Sequence, residues 1–451
     1  EQLNPIEAPM VFYCQPAMDA LPEPEAVMLT NIAPQKAAQQ GLPENQFFQR
    51  VHQALAMPNS CSVGYNNLRF DDEVTRFGFY RNFLDPYAHA WQNGNSRWDI
   101  LDLVRLCYAL RPEGIQWAFH TEGEHQGKAS FRLQDLTAAN GIAHRNAHDA
   151  LGDVEATIAL ARLIKQKQPR LFDYYLKFRH KHQAAQCLNV AAASIILHVS
   201  GMFPAEEGCL APIVPLLVHP QNRNEIICYN LRYAPDDLQR LDAEQIRTRL
   251  YTRNEDLAEG QQRIPLKGVH LNKSPALAPP KTLSADLAKK WQIDWGIIEQ
   301  HYQQLMTIEG LQDKLLQVYQ TDPQNPHETK PMLDADLALY EGFIPNEDRE
   351  QCQLLQQTHP EQLAQWSPDV FRDKRLQTLL FRYRARNYPQ TLTAEEQRRW
   401  QQFCQARLHE GAYGATRTWE QVQQSLTQLA QQPLNDTQAQ LLRQLSTWLS
   451  H

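Results

Sequence analysis

Apolar positions recur at two different spacings along the chain, and the change from one to the other divides it. Met10-Val11-Phe12-Tyr13-Cys14 is a short apolar, β-prone run closed by Pro16, which predicts an extended entry. Ile32-Ala33-Pro34-Gln35 leads into a helix carrying Ala37 and Ala38, and Phe47, Phe48, Val51, Ala54 and Leu55 recur at helical spacing. Ser62-Val63-Gly64-Tyr65 predicts a buried strand that ends in the polar loop Asn66-Asn67. Val74, Phe77, Tyr80 and Phe83 mark the next helix, and another begins at Trp98 and ends before Pro112. Residues 120–129 are polar and contain Gly, as a surface insertion does. A helix starting at 130–133 ends before Gly141. A helix carrying Val154, Ile158, Ala161, Leu163 and Ile164 then runs to Gln168-Pro169.

Beyond that point the period shortens. Residues 198–203, 211–220, 225–230 and 269–275 are short strand-like runs separated by turn residues, which predicts a small β-rich domain. From about 321 the chain is rich in Gln and Leu at helical spacing, with few β-branched runs and no fixed repeat, which predicts an all-α domain. The expected architecture is α/β, then β, then α, with units at 1–168, 169–320 and 321–451.

Length supports that division, because 451 residues exceed what one core holds. Hydrophobic content of 42% and charged content of 21% are those of a soluble globular protein, and no run of 18 apolar residues suggests a membrane span. Eight cysteines are scattered singly with no CxxC pair, as in reduced, cytoplasmic proteins. A net charge of −7 argues weakly against a nucleic-acid partner. Two local basic clusters bear on that: Lys165, Lys167, Arg170, Lys177, Arg179 and Lys181, and then Arg382, Arg384 and Arg386. Taken singly, each is expected to be a solvated helix face.

Candidate chemistry gathers at two helix starts. In Asn146-Ala147-His148-Asp149-Ala150-Leu151-Gly152-Asp153 an imidazole precedes a carboxylate by five residues at the entry to a helix. An acid on that helix can ligate a metal while the histidine takes a proton from a metal-bound water. The plain alternative is an N-terminal cap with Asp149 favoured by the helix dipole. The run Arg69-Phe70-Asp71-Asp72-Glu73 follows a strand, where ligands of α/β sheets collect, and Asp71 is its candidate ligand. Between them, Arg76, Arg81, Tyr87, Trp91, Arg97 and Trp98 mix cations with flat rings, as a single-strand channel needs; about half of the rings are expected to be core.

With these residues in place the chain resembles the bacterial exonuclease I family, DEDDh exonucleases that degrade single-stranded DNA from the 3′ end. The likeness runs through GYNNLRFDDEVTR (64–76), NSRWDILDLVRLCYALRPEG (95–114), SFRL (130–133), ANGI (139–142) and NAHDALGDVEATIALA (146–161). It continues through QPRLFDY (168–174), HVSGMF (198–203), HLNKSP (270–275), LYEGF (339–343), DKR (373–375) and YRARNYP (383–389). The resemblance implies a ribonuclease-H-like exonuclease domain, an SH3-like domain and a helical domain clamped on single-stranded DNA. It implies hydrolysis with two Mg²⁺ ions, release of nucleoside 5′-monophosphates, and a place in DNA repair and recombination. By motif match, Asp71 and Asp153 are metal-binding carboxylates and His148 the general base. Arg132 would face the terminal phosphate, and Phe131, Arg76, Tyr87, Trp91 and Arg105 would line the strand path. Arg111 and Tyr174 would hold the acidic C-terminal tail of single-stranded-DNA-binding protein. A monomer is expected.

One departure is large. The family's first motif, Asp-x-Glu on the first strand, has no match in residues 1–20, where Glu1, Glu7 and Asp19 have neither its spacing nor its setting. Residues 1–14 resemble the family's segment downstream of that motif, and the chain starts at Glu1 without Met. The expectation is therefore that the first strand is missing and that the chain as written is inactive or nearly so. The competing reading is a clamp that binds single strands or docks partners without catalysis; an RNA-trimming relative is a third. Processivity, the choice between DNA and RNA, and the role of the Gln-rich helices have no chemical reading in the sequence.

Overall fold

The computed structural model describes residues 3–144, 149–320 and 333–450. Three short helices come first: α1 (Pro24–Thr30), α2 (Pro34–Gln40) and α3 (Glu44–Leu55). Proline at the first turn starts α1 and α2, where its missing N–H costs nothing. The apolar run before them is not a regular strand. Met10 and Val11 are exposed, and Cys14 makes one isolated parallel bridge with Leu42.

Strand β1 (Cys61–Gly64) leads to α4 (Asp71–Arg81), and β2 (Ser96–Asp99) leads to α5 (Ile100–Leu110). The two strands run parallel in register from Cys61 with Ser96 to Gly64 with Asp99, so both helices start from the same edge. The helix expected to begin at Trp98 begins two residues later, because Trp98 is a buried strand residue and Asp99 caps α5 through the Leu101 N–H at 2.9 Å. Val63, expected inside a buried strand, is 48% exposed. The insertion at 120–129 joins β3 (Ala118–Phe119) to β4 (Ala129–Ser130) as an antiparallel hairpin, followed by α6 (Leu133–Ala139) and α7 (Ala150–Lys167).

The middle of the chain opens with α8 (Pro169–Leu176) and α9 (Lys181–Cys187). It then forms β5 (Ile196–Val199), β6 (Leu210–Val218) and β7 (Glu225–Asn230). Helices α10 (Asp236–Arg240) and α11 (Ala243–Tyr251), strands β8 (Leu266–His270) and β9 (Ala276–Ala278), and helices α12 (Ala285–Lys290), α13 (Trp295–Met306) and α14 (Leu311–Tyr319) complete it. The strands make one antiparallel sheet in the order β8-β7-β6-β5-β9. The expected strand at 269–275 ends at His270; the rest of that run is the turn into β9. This unit does not have a core to itself. Trp98 of β2 packs on Phe172 and Tyr175 of α8 at 5.1 and 5.3 Å, and the Trp291 indole donates to the Ala109 carbonyl at 2.9 Å.

The last helices are α15 (Asn346–Gln357), α16 (Pro360–Leu363), α17 (Lys374–Asn387), α18 (Ala394–Glu410), α19 (Trp419–Ala430) and α20 (Asp436–Leu449). Tyr80 and Phe83 from α4 and its exit enter their core beside Leu376, Leu379 and Tyr383, while Val27 of α1 packs with Val422 and Leu445. Among the described residues no helix is long and apolar enough to cross a membrane.

The two basic clusters have opposite fates. Lys167, Arg170, Lys177 and Lys181 are exposed, as a solvated face should be, whereas Lys165 and Arg179 are half-buried, Lys165 5.2 Å over the Phe172 ring and Arg179 donating to the Leu176 carbonyl at 3.0 Å. Arg382, Arg384 and Arg386 are buried, which overturns the expectation of a solvated face. Arg382 bonds Asp334 at 2.6 Å and Asp336 at 2.7 Å, and Arg384 bonds Glu396 at 2.7 Å. Arg386 bonds both Asp336 and Asp19 at 2.7 Å. The helical period placed these arginines on α17, but only tertiary packing supplies the acids that neutralise them. Burial by itself would raise the carboxyls of Asp19 and Asp336; Arg386, by charge and hydrogen bond, holds both below the usual carboxylate range. Carboxylates depressed in the folded state stabilise it fully above their unfolded pKa of about 4 and lose that contribution as pH falls toward the folded values. Urea midpoints should therefore drop between pH 5 and pH 2. Asp19→Asn, which leaves Arg386 one anion short, should cost about 3–5 kcal/mol at pH 7 and show a weaker acid dependence.

Candidate active site at the carboxyl end of the exonuclease strands

The ends of β1 and β2 are tied together by one carboxylate. Asp99 is fully buried, and its Oδ1 accepts from the Asn66 N–H at 2.9 Å as well as from Leu101. Its Oδ2 accepts from the Leu68 N–H at 3.3 Å and lies 3.7 Å from Arg69. Burial and the neighbouring Asp102 push its pKa up to about 6. Arg69 also bonds Asp102 at 3.0 Å, and Arg105 bonds the same carboxylate at 3.1 Å. Asn66 takes the left-handed backbone (φ 65°) that asparagine tolerates better than most residues. The loop so fixed delivers Asp71 to the first turn of α4, beside the strand ends.

Asp71 is exposed over much of its surface, yet protein packed on its carboxyl raises the pKa, and Asp72 adds to the rise. Asp72 points the other way and is buried against Arg97. Asp153 stands on the first turn of α7, whose start is capped by Asp149 accepting from the Gly152 N–H at 3.2 Å. The capping role weighed for Asp149 is thus present alongside any chemistry at Asp153. His148 lies outside the described residues. The histidine placed at Asp153 is His144, whose Nε2 is 2.7 Å from Oδ1 and whose Nδ1 is 3.4 Å from the Thr137 hydroxyl. Nothing in the local sequence distinguishes His144 from any other polar loop residue, so sequence reasoning misses it.

The strand-path candidates fall into two groups. Arg105 lies 5.8 Å over the Phe131 ring, with Gly201 leaving room for its guanidinium, and exposed Arg132 comes next at the start of α6. Arg76 lies 5.5 Å over the Tyr87 ring, and Trp91, 65% exposed, comes shortly after. Trp98 belongs to the core instead. Arg111 donates to the Thr282 carbonyl at 2.8 Å, at the seam with the middle domain, and Tyr174 packs on Phe178 at 5.3 Å. Two participants from other domains escape sequence reasoning as well. Tyr340 of the LYEGF run donates to Glu73 at 2.7 Å and accepts from Arg76 at 3.5 Å, and Lys273 of HLNKSP lies within the same group of charges. Neighbours so distant in sequence leave no local signature.

Among the described residues no three His, Cys, Asp or Glu side chains are grouped as a metal ion needs. Asp71 and Asp153 are two carboxylates, fewer than the four implied for a two-metal site, so the described residues alone do not complete that donor set.

Three family models match the chain. Residues 1–161 match an exonuclease model, 179–321 the exonuclease I SH3-like domain, and 333–451 the exonuclease I C-terminal domain. Exodeoxyribonuclease I of Haemophilus influenzae is 42% identical over 410 residues, covering 91% of this chain and 85% of that protein. That of Escherichia coli K12 is 45% identical over 405 residues, covering 88% and 82%. The chain belongs to the exodeoxyribonuclease I family. Among solved structures, exonuclease I of Methylocaldum szegediense superposes with a TM-score of 0.92 at 43% identity over all of this chain and 92% of that one. The E. coli enzyme in complex with a dA16 oligonucleotide gives 0.91 at 41%, covering 100% and 93%. An ExoI/SSB-Ct complex gives 0.88 at 41%, covering 100% and 92%. Exonuclease, SH3-like and helical domains are thus the fold class of this chain, and as an exodeoxyribonuclease it is a hydrolase that depends on a divalent metal.

Arg69 is the cation between two buried acids at the heart of this loop. Replacing it by Met leaves Asp99 and Asp102 short of a partner, and unfolding in urea should report a loss of about 1–3 kcal/mol.

Proposed function

We propose that the protein is a 3′→5′ exonuclease that feeds single-stranded DNA past Arg76, Tyr87 and Trp91 to a hydrolytic centre at the carboxyl ends of β1 and β2. The observation that carries this reading is the placement of Asp71 at that edge, on a loop that Asp99 holds rigid. Arg132, exposed at the start of α6, takes the terminal phosphate, and Phe131 with Arg105 behind it supports the last base. His148 removes a proton from the attacking water, a task suited to an imidazole with a near-neutral pKa. Products are nucleoside 5′-monophosphates.

Asp71 and Asp153 offer hard oxygen donors of the kind Mg²⁺ takes, so Mg²⁺ is the metal we assign. Two donors do not hold a two-ion centre, and no step is assigned to the metal. The solved relatives with an oligonucleotide and with SSB-Ct support single-stranded DNA and the tail of single-stranded-DNA-binding protein as partners. Arg111, with its fork of donors, suits the carboxylate of such a tail, and Tyr174 gives it an apolar wall. A monomer in the cytoplasm fits these partners.

The deciding experiment measures mononucleotide release from 3′-labelled single-stranded DNA with Mg²⁺. It compares this chain with one extended upstream by a strand bearing Asp-x-Glu. Activity in the extended form should fall at least 10²-fold in its Asp153→Asn and His148→Ala variants. A folded extended form that binds the strand but releases nothing would sink the exonuclease and leave a DNA-binding clamp. Separately, Arg111→Ala should weaken binding of an acidic tail peptide about tenfold in a fluorescence titration, as loss of a charge-assisted hydrogen bond of about 1.5 kcal/mol requires.

A further inference from the structure

The loop that leaves α4 and the turn that leads into α15 enclose a cavity of about 100 Å³ between the exonuclease and helical domains. Phe83, Leu84, Pro86, Leu339, Ile344 and Cys352 give it an apolar lining. Its walls are held in place. Phe83 takes a left-handed backbone (φ 60°), which a bulky residue keeps only where its surroundings enforce it, and its ring lies 5.4 Å from both Phe371 and Tyr383. Asp85 accepts the Tyr87 and Ala88 N–H groups, each at 2.8 Å, which sets the chain that carries Tyr87. On the other side Arg375 of α17 donates to the Ala338 carbonyl at 2.6 Å and to the Gly342 carbonyl at 3.0 Å, so the LYEGF turn is pinned near both its ends.

The rim differs from the lining. Phe343 borders the cavity with 89% of its surface exposed. Arg349 and Gln353, four residues apart on one face of α15, border it too. Among the described residues neither side chain has an ion pair or a hydrogen bond. A slot that is apolar within and edged by a bare ring, an amide and a guanidinium suits a flat molecule with a polar edge. Tyr87 borders the slot and also lies under Arg76, so the slot is continuous with the proposed strand path. An apolar cavity of about 150 Å³ takes up benzene, so 100 Å³ with one open side receives a single six-membered ring and not a fused purine. We infer that this slot holds one pyrimidine base of the bound strand, that Phe343 closes over it, and that Gln353 reads its edge. The assignment rests on the proposed single-strand path and adds to it a position at which base identity matters. An amide presents a donor and an acceptor in either order, so it serves thymine and cytosine alike, and Arg349 supplies a cation for the adjoining phosphate.

The test is binding of the full chain, in EDTA, to fluorescein-labelled oligothymidylate and oligodeoxyadenylate of equal length, read by anisotropy. A second series replaces one thymine at a time by an abasic site. Stacking of one base on a ring is worth a factor of about ten. Phe343→Ala should therefore weaken oligothymidylate binding about tenfold, and Phe343→Trp should not. One abasic position should cost the unaltered chain a similar factor and cost Phe343→Ala nothing further. The unaltered chain should prefer oligothymidylate, and Cys352→Met, which fills the cavity, should erase that preference with the far-ultraviolet spectrum unchanged. If Cys352→Met does not fold, Gln353→Leu, at an exposed position, carries the same comparison. A preference that survives both of these substitutions overturns the slot, and so does an equal loss from every abasic position. Tighter binding in Phe343→Ala also overturns it, because the ring would then be competing with the strand for the cavity. Failure of the unaltered chain to bind either strand would instead overturn the single-strand path on which the slot rests.

Discussion

A single buried carboxylate organises the edge from which α4 and α5 start. Asp99 ends one strand, starts one helix and accepts two N–H groups from the loop that leaves the other strand. An anion without solvent is stable only when hydrogen bonds and cations replace the water it has lost. The loop must therefore fold back over Asp99, and Arg69 must lie against it. Asp71 owes its place at the strand ends to that requirement. The proximity of Asp102 keeps the pair short of positive charge, which is why Arg69 and Arg105 both converge there.

The three domains are three in family and composition, but they do not pack as beads. The exonuclease and SH3-like units share one hydrophobic cluster through Trp98, Phe172 and Tyr175. The helical domain takes Tyr80 and Phe83 from the exonuclease unit into its own core and grips Asp19 with Arg386. Such contacts keep residues from all three units around Arg76 and Glu73. Polar contact between Tyr340 and Glu73 would be worth little by itself; the buried clusters beneath it are what hold its geometry.

Much of the fold was legible because period and capping are local. The helices at 44–55, 71–81 and 150–167 lie where apolar spacing and acidic first turns put them. The errors are also physical. Trp98-Asp99 reads as a helix start because the capping aspartate is itself the last strand residue, and only pairing with β1 shows that the chain is still extended there. The HLNKSP run reads as strand, yet its second half is a turn held by another domain. The arginines of α17 read as a solvated face because a helical period cannot show that Asp19 and Asp336 wait on the other side.

By itself the sequence determined the helical and strand periods, the succession of an α/β, a β-rich and an all-α unit, and, through its motifs, the exonuclease family and the candidates Asp71, Asp153 and His148. These are properties of residues close together in the chain. Tertiary structure alone decided which charges are paired: Arg386 with Asp19, Arg97 with Asp72 and Asn272, and His144 with Asp153. The electrostatic fate of a side chain depends on partners that lie tens to hundreds of residues away, and local periodicity carries no record of them.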